Sequence, residues 1–334
     1  MKTSGIGGQA VLEGIMMRNG SKYAVAVRKP DKEIAVVENT YKSLWGDSNV
    51  TKLPFIRGVF NFIDSMVLGV KTINISADYF AEHDEEDGAA ETSTGTGAMK
   101  AAEKAAEAAD KKPFLEKHFT EDQINGAIMA VTMAVSFLLA MFIFMMIPVW
   151  VASLFKKLTD SYAVIALLEG VLRVLIFVVY ILLIGQIKDI KRTYMYHGAE
   201  HKCINCIETG LPLTVENVGK SSKVHKRCGT SFLLFVMLIS VFFFMFIHID
   251  NIGLRMLSRV ILIPVIAGIS YEFIRLAGST DNPVINALSK PGLWMQALTT
   301  KEPEPDMIEV AIQAVEKVFD WRAYQEENFK SSAA

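Results

Sequence analysis

Four long apolar stretches limit what this chain can fold into more than any other feature. They cover residues 127–151, 161–187, 229–249 and 254–276, and a helix needs roughly 20 apolar residues to cross a bilayer. The fourth stretch is weaker because it carries charged side chains, although these lie near its ends, where they can reach the lipid headgroups. We therefore predict a mainly α-helical integral membrane protein with about four transmembrane helices.

The distribution of Lys and Arg predicts the orientation of these helices. The segment 188–228, between the second and third stretches, holds eight basic residues, whereas the other two loops are only a few residues long. Because short cytoplasmic loops carry an excess of Lys and Arg, this segment is predicted to be cytoplasmic. With four spans, both termini of this multi-pass protein are then cytoplasmic too.

The sequence predicts that the chain consists of four parts. Residues 1–83 form a small cytoplasmic α+β region, and residues 84–120 are an acidic and then Ala/Lys/Glu-rich linker whose composition cannot build a core. Residues 121–289 are the four-helix membrane domain, which includes the loop 188–228. Residues 290–334 are a cytoplasmic tail with an amphipathic helix.

Within the N-terminal region we predict a β-hairpin and one further helix. The segments 22–28 and 33–38 are alternating or β-branched and flank the turn-forming sequence Lys-Pro-Asp-Lys. Residues 53–79 mix apolar side chains with Arg57, Asp64 and Lys71, which is too polar for a confident span. This helix either lies on the membrane or packs against the spans, and a re-entrant segment is the alternative.

The loop 188–228 concentrates residues that bind metals. All three cysteines of the chain lie there, together with three of its six histidines: Cys203, Cys206, Cys228, His197, His201 and His225. An odd number of clustered cysteines is a poor disulfide framework but is typical of a metal site. The net charge of −2 gives no reason to expect a nucleic-acid partner.

The strongest motif is H-x-x-E-H at residues 197–201. On a helix, His197 and His201 lie one turn apart on the same face, where both imidazoles can bind one cation. Glu200 lies near that face, and in inverzincin metallopeptidases the glutamate of this pattern acts on a zinc-bound water. The motif predicts a site for zinc or another divalent transition metal, with Glu200 as the catalytic base.

Two further ligands are predicted from the end of the loop. His225 and Cys228 are three residues apart, and with the first two histidines they would complete a closed tetrahedral site. Three of the four ligands plus a water would instead leave an open, catalytic position. The C-x-x-C pair Cys203 and Cys206 by itself indicates a redox pair or half of a zinc site.

Three charged residues inside the spans are weaker candidates for a functional role. Glu169 and Arg173 are four residues apart in the second span, which predicts either an internal ion pair or part of a polar path. Glu272, in the fourth span, is a weak candidate for a metal ligand, and we favour an ion pair with Arg275.

Several motifs resemble those of the YqhQ-like family of bacterial membrane proteins. They are GGQAVLEG (7–14) followed by MMR (16–18), PFIRG (54–58), YHGAEHK (196–202), HKRCGTSF (225–232) and PGLWMQALTTKEP (291–303). The resemblance implies a bacterial cytoplasmic membrane protein and a predicted metal-dependent enzyme. It places the five loop residues His197, Glu200, His201, His225 and Cys228 in the shared motif, with Glu13 and Arg18 as shared polar positions. It does not include Cys203 and Cys206.

Two hypotheses follow. The first is a metal-dependent hydrolase at the cytoplasmic face of the bilayer, acting on a membrane peptide, a lipid or a lipid-linked group. The second is a non-enzymatic assembly or regulatory partner of other membrane proteins, in which zinc is structural. A metal transporter would need more ligand side chains along the spans than Glu169 supplies.

Overall fold

The structure is a computed structural model that describes residues 3–46, 48–84, 121–155, 159, 161–247, 249 and 251–329. Nearly all of the predicted linker, residues 84–120, lies outside these ranges. The chain divides into two compact units, one formed by Met1–Gly88 with Val178–Ala334 and the other by Ala89–Phe177.

Helices dominate the described residues, as the sequence predicts. They are α1 (Ile56–Asp84), α2 (Glu121–Met141), α3 (Ile147–Leu154), α4 (Tyr162–Ile184), α5 (Lys188–Glu208), α6 (Val215–Lys220), α7 (Gly229–Phe246), α8 (Ile252–Ser279), α9 (Pro283–Thr299), α10 (Pro305–Val318) and α11 (Trp321–Phe329). Within the described ranges, four helical segments are long and apolar enough to cross a membrane: Ala130–Leu154, Tyr162–Ile184, Gly229–Phe246 and Gly253–Ser279. The predicted fold class is confirmed.

A four-stranded antiparallel sheet precedes the helices. Its strands are β1 (Ile6–Val11), β2 (Gly14–Asn19), β3 (Lys22–Arg28) and β4 (Ile34–Thr40), paired in chain order. The hairpin expected from the sequence is the β3–β4 pair, in which Val25 lies opposite Val37. The first hairpin was not predicted, because β1 is glycine-rich and glycine weakens the strand signal.

One face of the sheet is covered by α5 and α10. The inward side chains of β2 and β3, such as Met17 and Ala26, pack in one cluster with Ala199 of α5 and with Val310 and Ala311 of α10. The tail helix predicted over 308–319 is α10, and its apolar face is buried in this core. The cluster also contains Cys203 and Cys206, both fully buried.

The opposite face of the sheet is covered by α1. Leu68 packs there with Tyr23 and Val25 of β3, and Ile75 lies against the same cluster. Because helices cover both faces, β3 is buried from Tyr23 to Val27 instead of alternating between buried and exposed residues. The sheet therefore lies between α1 on one face and α5 with α10 on the other.

The second unit contains the first span and most of the second. The first span is interrupted by a π-helical turn, Phe142–Met146. Glu169 and Arg173 form the predicted ion pair in α4, with 2.8 Å between Oε1 and Nη2. Arg173 Nε also donates a hydrogen bond to the Phe144 carbonyl oxygen at 3.1 Å, which links the two helices.

Candidate metal centre

Three of the predicted ligands meet at the junction of α5 and α7. His197 and His201 lie one turn apart on α5, with 4.4 Å between their ring centroids. Cys228 is the residue immediately before the first turn of α7. One donor atom from each of the three side chains lies within 4.8 Å of the other two, a group compact enough to hold a metal ion.

The two imidazoles are fixed by backbone carbonyl groups. His197 Nδ1 lies 3.0 Å from the Thr299 carbonyl oxygen, and His201 Nδ1 lies 2.8 Å from that of Lys223. A carbonyl oxygen accepts but cannot donate, so each Nδ1 carries the proton and each Nε2 keeps its lone pair. Histidines that bind metals through Nε2 have this second hydrogen bond, which fixes the tautomer and the ring orientation.

The thiol of Cys228 completes the group. Its Sγ lies 3.3 Å from His197 Nε2 and 3.1 Å from the Thr230 hydroxyl oxygen. The Thr299 hydroxyl in turn lies 3.3 Å from that of Thr230, so a hydrogen bond connects the group beside the cysteine to the end of α9. Two imidazoles and one thiolate are a donor set suited to zinc.

Glu200 lies beside this group but does not belong to it. The carboxylate is buried and accepts a hydrogen bond from the backbone N–H of Gly8 in β1. Burial raises the pKa of Glu200 above its usual value, although the nearby His197 and the Gly8 hydrogen bond oppose the shift. A carboxyl group with a raised pKa suits proton transfer near neutral pH.

His225 is not brought into the three-residue group. Its ring centroid is 5.8 Å from that of His201, but its Nε2 lies 3.5 Å from Glu208 Oε2 on the other side. Gln296 fixes the backbone here, because its side chain accepts a hydrogen bond from the His225 N–H and donates one to the His225 carbonyl oxygen. The predicted ligand set is therefore assembled only in part.

Glu208 is the centre of a second polar cluster. It accepts hydrogen bonds from the backbone N–H and the hydroxyl of Ser4, both at 2.8 Å, and forms an ion pair with Arg227. Burial alone would raise the pKa of Glu208, but hydrogen bonds from His225 and Ser4 and the Arg227 charge lower it to about 2. The ionised form is therefore the one that the fold stabilises.

Glu208 is expected to make the folded protein sensitive to acid. Its folded-state pKa lies below the ordinary value of 4.5, so its contribution is complete above that pH and is lost as the pH falls towards 2. A shift of this size corresponds to about 3 kcal/mol. Glu208→Gln should lower the apparent melting temperature of the detergent-solubilised protein clearly at pH 6 and much less at pH 3. An equal loss at both pH values would contradict this assignment.

The remaining predicted candidates lie elsewhere. Cys203 and Cys206 are in the core under the sheet, and Cys206 Sγ donates to the Pro212 carbonyl oxygen at 3.5 Å. Glu272 is bound mainly by Arg57, with 2.6 Å between Oε1 and Nε. The predicted ion pair with Arg275 is present as well, with 3.9 Å between Glu272 Oε2 and Arg275 Nη1.

Sequence reasoning missed the groups that orient the ligands. Two of them are backbone carbonyl oxygens, those of Thr299 and Lys223, and a carbonyl has no signature in a sequence. The Thr230 hydroxyl was missed as well. For Thr230 and Thr299 the sequence did contain a signal that they belong to the site. Thr230 lies in the stretch HKRCGTSF and Thr299 in the stretch PGLWMQALTTKEP, and both stretches carry the family resemblance.

Comparisons with known proteins point to one family. Residues 53–321 match the family model described as "Protein of unknown function (DUF1385)". The chain is 35% identical over 331 residues to "Uncharacterized protein YqhQ" of Bacillus subtilis (strain 168), covering 98% of this chain and 96% of that protein. No solved structure matches the chain.

Proposed function

This chain belongs to the DUF1385 family, and we propose from its candidate metal centre that it is a membrane metalloprotein with zinc bound by His197, His201 and Cys228. The main support for this proposal is that one ligand atom from each of the three side chains lies within 4.8 Å of the other two. The Nδ1 hydrogen bonds of both histidines add support, because they leave both Nε2 atoms free to bind a metal.

We further propose that the site is hydrolytic. Three protein ligands are the number found in catalytic zinc sites, where the metal lowers the pKa of a water in the fourth position to about 7. Glu200 is the candidate proton acceptor, since it lies near His197 and has a raised pKa. In this role it would take a proton from the attacking water and return it to the leaving group.

The substrate class follows from the position of the site relative to the membrane. Cys228 directly precedes Gly229, the first residue of the third candidate span. A centre at the end of a span lies close to molecules held in or on the bilayer, which favours a membrane peptide, a lipid or a lipid-linked group as the substrate. The basic residues of the surrounding segment indicate the cytoplasmic face.

A second candidate function is a structural zinc site in a non-enzymatic assembly or regulatory protein. The His225 ring lies next to that of His201, so a rotation of this side chain could supply a fourth protein ligand. Zinc would then join α5 to the start of α7 without an open position. In this case Glu200 is a buried carboxyl group that serves only to hold β1 through Gly8.

An exchangeable fourth position distinguishes the two candidates without knowledge of the substrate. We expect the cobalt(II)-substituted protein to bind azide, with a change in its visible spectrum, because three protein ligands leave room for an added anion. A metal-loaded protein whose spectrum does not respond to azide would overturn the hydrolytic proposal and support the closed structural site.

The role of Glu200 can be tested on the same preparation. The pH at which azide affinity falls reports proton loss at the open position, and Glu200→Gln is expected to shift that pH by about one unit while the metal stays bound. Glu216→Gln is the matched control, since Glu216 is exposed and pairs with Lys220. An unchanged midpoint in a fully loaded Glu200→Gln protein would exclude Glu200 as the proton acceptor.

A further inference from the structure

The start of α1 lies directly against the fourth candidate span. A Cβ atom at Gly58 would lie 2.6 Å from Tyr271 Cβ, and one at Gly268 would overlap the Phe55 carbonyl oxygen. Such contacts between small residues bring two backbones close together, as in helix packing within membranes. Gly268 is about three helical turns before the end of α8, so α1 begins beside the span and not beyond its end.

Three polar side chains of this part of α1 bind groups of the protein. Arg57 donates from Nε and Nη2 to the two carboxylate oxygens of Glu272 in α8, and Asn61 Nδ2 donates to the Tyr271 hydroxyl at 2.8 Å. Asp64 is buried and accepts a hydrogen bond from the Tyr41 hydroxyl at 3.1 Å. Positions 57, 61 and 64 share one helix face, on which Asp64 is buried, Arg57 is half-buried and Asn61 is exposed but bonded to Tyr271.

The opposite side of the segment is apolar and exposed. The large apolar side chains with more than a third of their surface exposed are Leu53, Phe55, Ile56, Phe62, Met66 and Val67. Phe55 and Met66 are the most exposed of them, each with 53% of its surface exposed. In a helix that faces water the distribution is the reverse, with polar groups outward. The pattern changes at Lys71, an exposed charged residue about one turn beyond Val67.

We propose that residues 53–67 insert into the bilayer beside the fourth span, in the leaflet on the side of the candidate metal centre. The occupant of this apolar surface is lipid acyl chain, because the surface continues the exposed apolar surface of α8, which includes Ile261 and Val265. The ion pair between Arg57 and Glu272 gives both charged groups a partner within the protein, as charges at membrane depth require.

The position of Trp45 agrees with this assignment. Its ring packs on Phe60 with 4.6 Å between centroids, and 41% of its surface remains exposed. Tryptophan is enriched at the level of the headgroups, where its ring can contact both lipid and water. The sheet would then stand at the membrane surface, anchored by α1, which packs on the sheet through Leu68 and on the span through Gly58.

Spin-label accessibility in lipid vesicles tests the insertion. The full chain carries Phe55→Cys, and its nitroxide-labelled form is compared with two controls: Leu257→Cys, exposed on the fourth span, and Lys71→Cys on the same helix as the segment. All three sites are exposed, so labelling should leave the fold intact. The unsubstituted protein serves as the blank, because its cysteines are buried.

We expect the label at position 55 to have the same accessibility to both reagents as the label at position 257. Molecular oxygen, which concentrates in the acyl chains, should reach it readily, and a water-soluble nickel chelate should reach it several-fold less than at position 71. High nickel accessibility at position 55 would place the segment in water and overturn the proposal. Low accessibility to both reagents would indicate a protein partner on this surface and would overturn it equally.

Discussion

Cys228→Ser should lower the affinity for zinc by more than the roughly 10–100-fold that loss of an outer-shell partner costs, because a ligand itself is removed. The thiolate is one of three donors within 4.8 Å of one another, and a serine hydroxyl is a much weaker ligand for zinc. In the cobalt(II) form, the thiolate-to-cobalt absorption band should disappear. Metal titration with a competing chelator gives the affinity, and absorption spectroscopy reports the band.

The other two cysteines are matched controls for this experiment. Cys203 and Cys206 are buried in the core under the sheet and lie outside the three-residue group. Cys203→Ala and Cys206→Ala should therefore keep both the metal affinity and the cobalt band. Loss of the band in either control, or its survival in Cys228→Ser, would show that the ligand assignment is wrong.

Gly198→Ala should destabilise the fold by about 3 kcal/mol, the upper end of the cost of overpacking a filled site. A Cβ at this position would overlap the Lys301 carbonyl oxygen. The clash involves backbone that is tied to α5, since the Lys301 N–H donates to the Tyr194 carbonyl oxygen at 2.9 Å. The neighbouring Thr299 carbonyl orients His197, so metal affinity should fall together with stability.

Gly219→Ala in α6 is the control for this substitution. The nearest atom to a Cβ there is Ile308 Cδ1 at 3.9 Å, an ordinary van der Waals contact. The added methyl should be neutral or stabilise the helix by up to about 1 kcal/mol. Chemical unfolding of both variants in detergent gives the comparison, and equal stability of Gly198→Ala and the unsubstituted protein would contradict the packing described for α5.

The spans and the second hairpin could be predicted from the sequence because their signals are local. A run of apolar residues needs no partner to be recognised, and β3 and β4 flank a clear turn. The strand β1 could not, since its glycines serve a contact that is distant in the chain. A Cβ at Gly8, for example, would lie 2.9 Å from Glu200 Cγ.

Some of the metal ligands could likewise be predicted from a local sequence signal, and others could not. The pair His197 and His201 follows from helical spacing alone, so the sequence was sufficient. The choice between His225 and Cys228 depends on the direction in which each side chain points after the chain has turned back onto α5. His225 faces Glu208, more than 15 residues earlier in the chain, and spacing could not reveal that contact.

The environment of the polar side chains of α1 also depends on contacts that are distant in the chain. Arg57 and Asp64 made the segment too polar to be a confident span when counted as residues in a row. In the fold both side chains are satisfied by protein partners, Glu272 and Tyr41. A count of charged residues along a stretch of sequence does not show that distant residues supply a partner for each of them.

The metal content of the purified protein shows whether His197, His201 and Cys228 bind zinc. The full chain is extracted in detergent without chelators, and elemental analysis compares it with the double variant His197→Ala/His201→Ala. We expect about one zinc per chain, since one group of three donors is present among the described residues, and none in the variant. Absence of stoichiometric metal in the unsubstituted protein, or an equal amount in the variant, would contradict it.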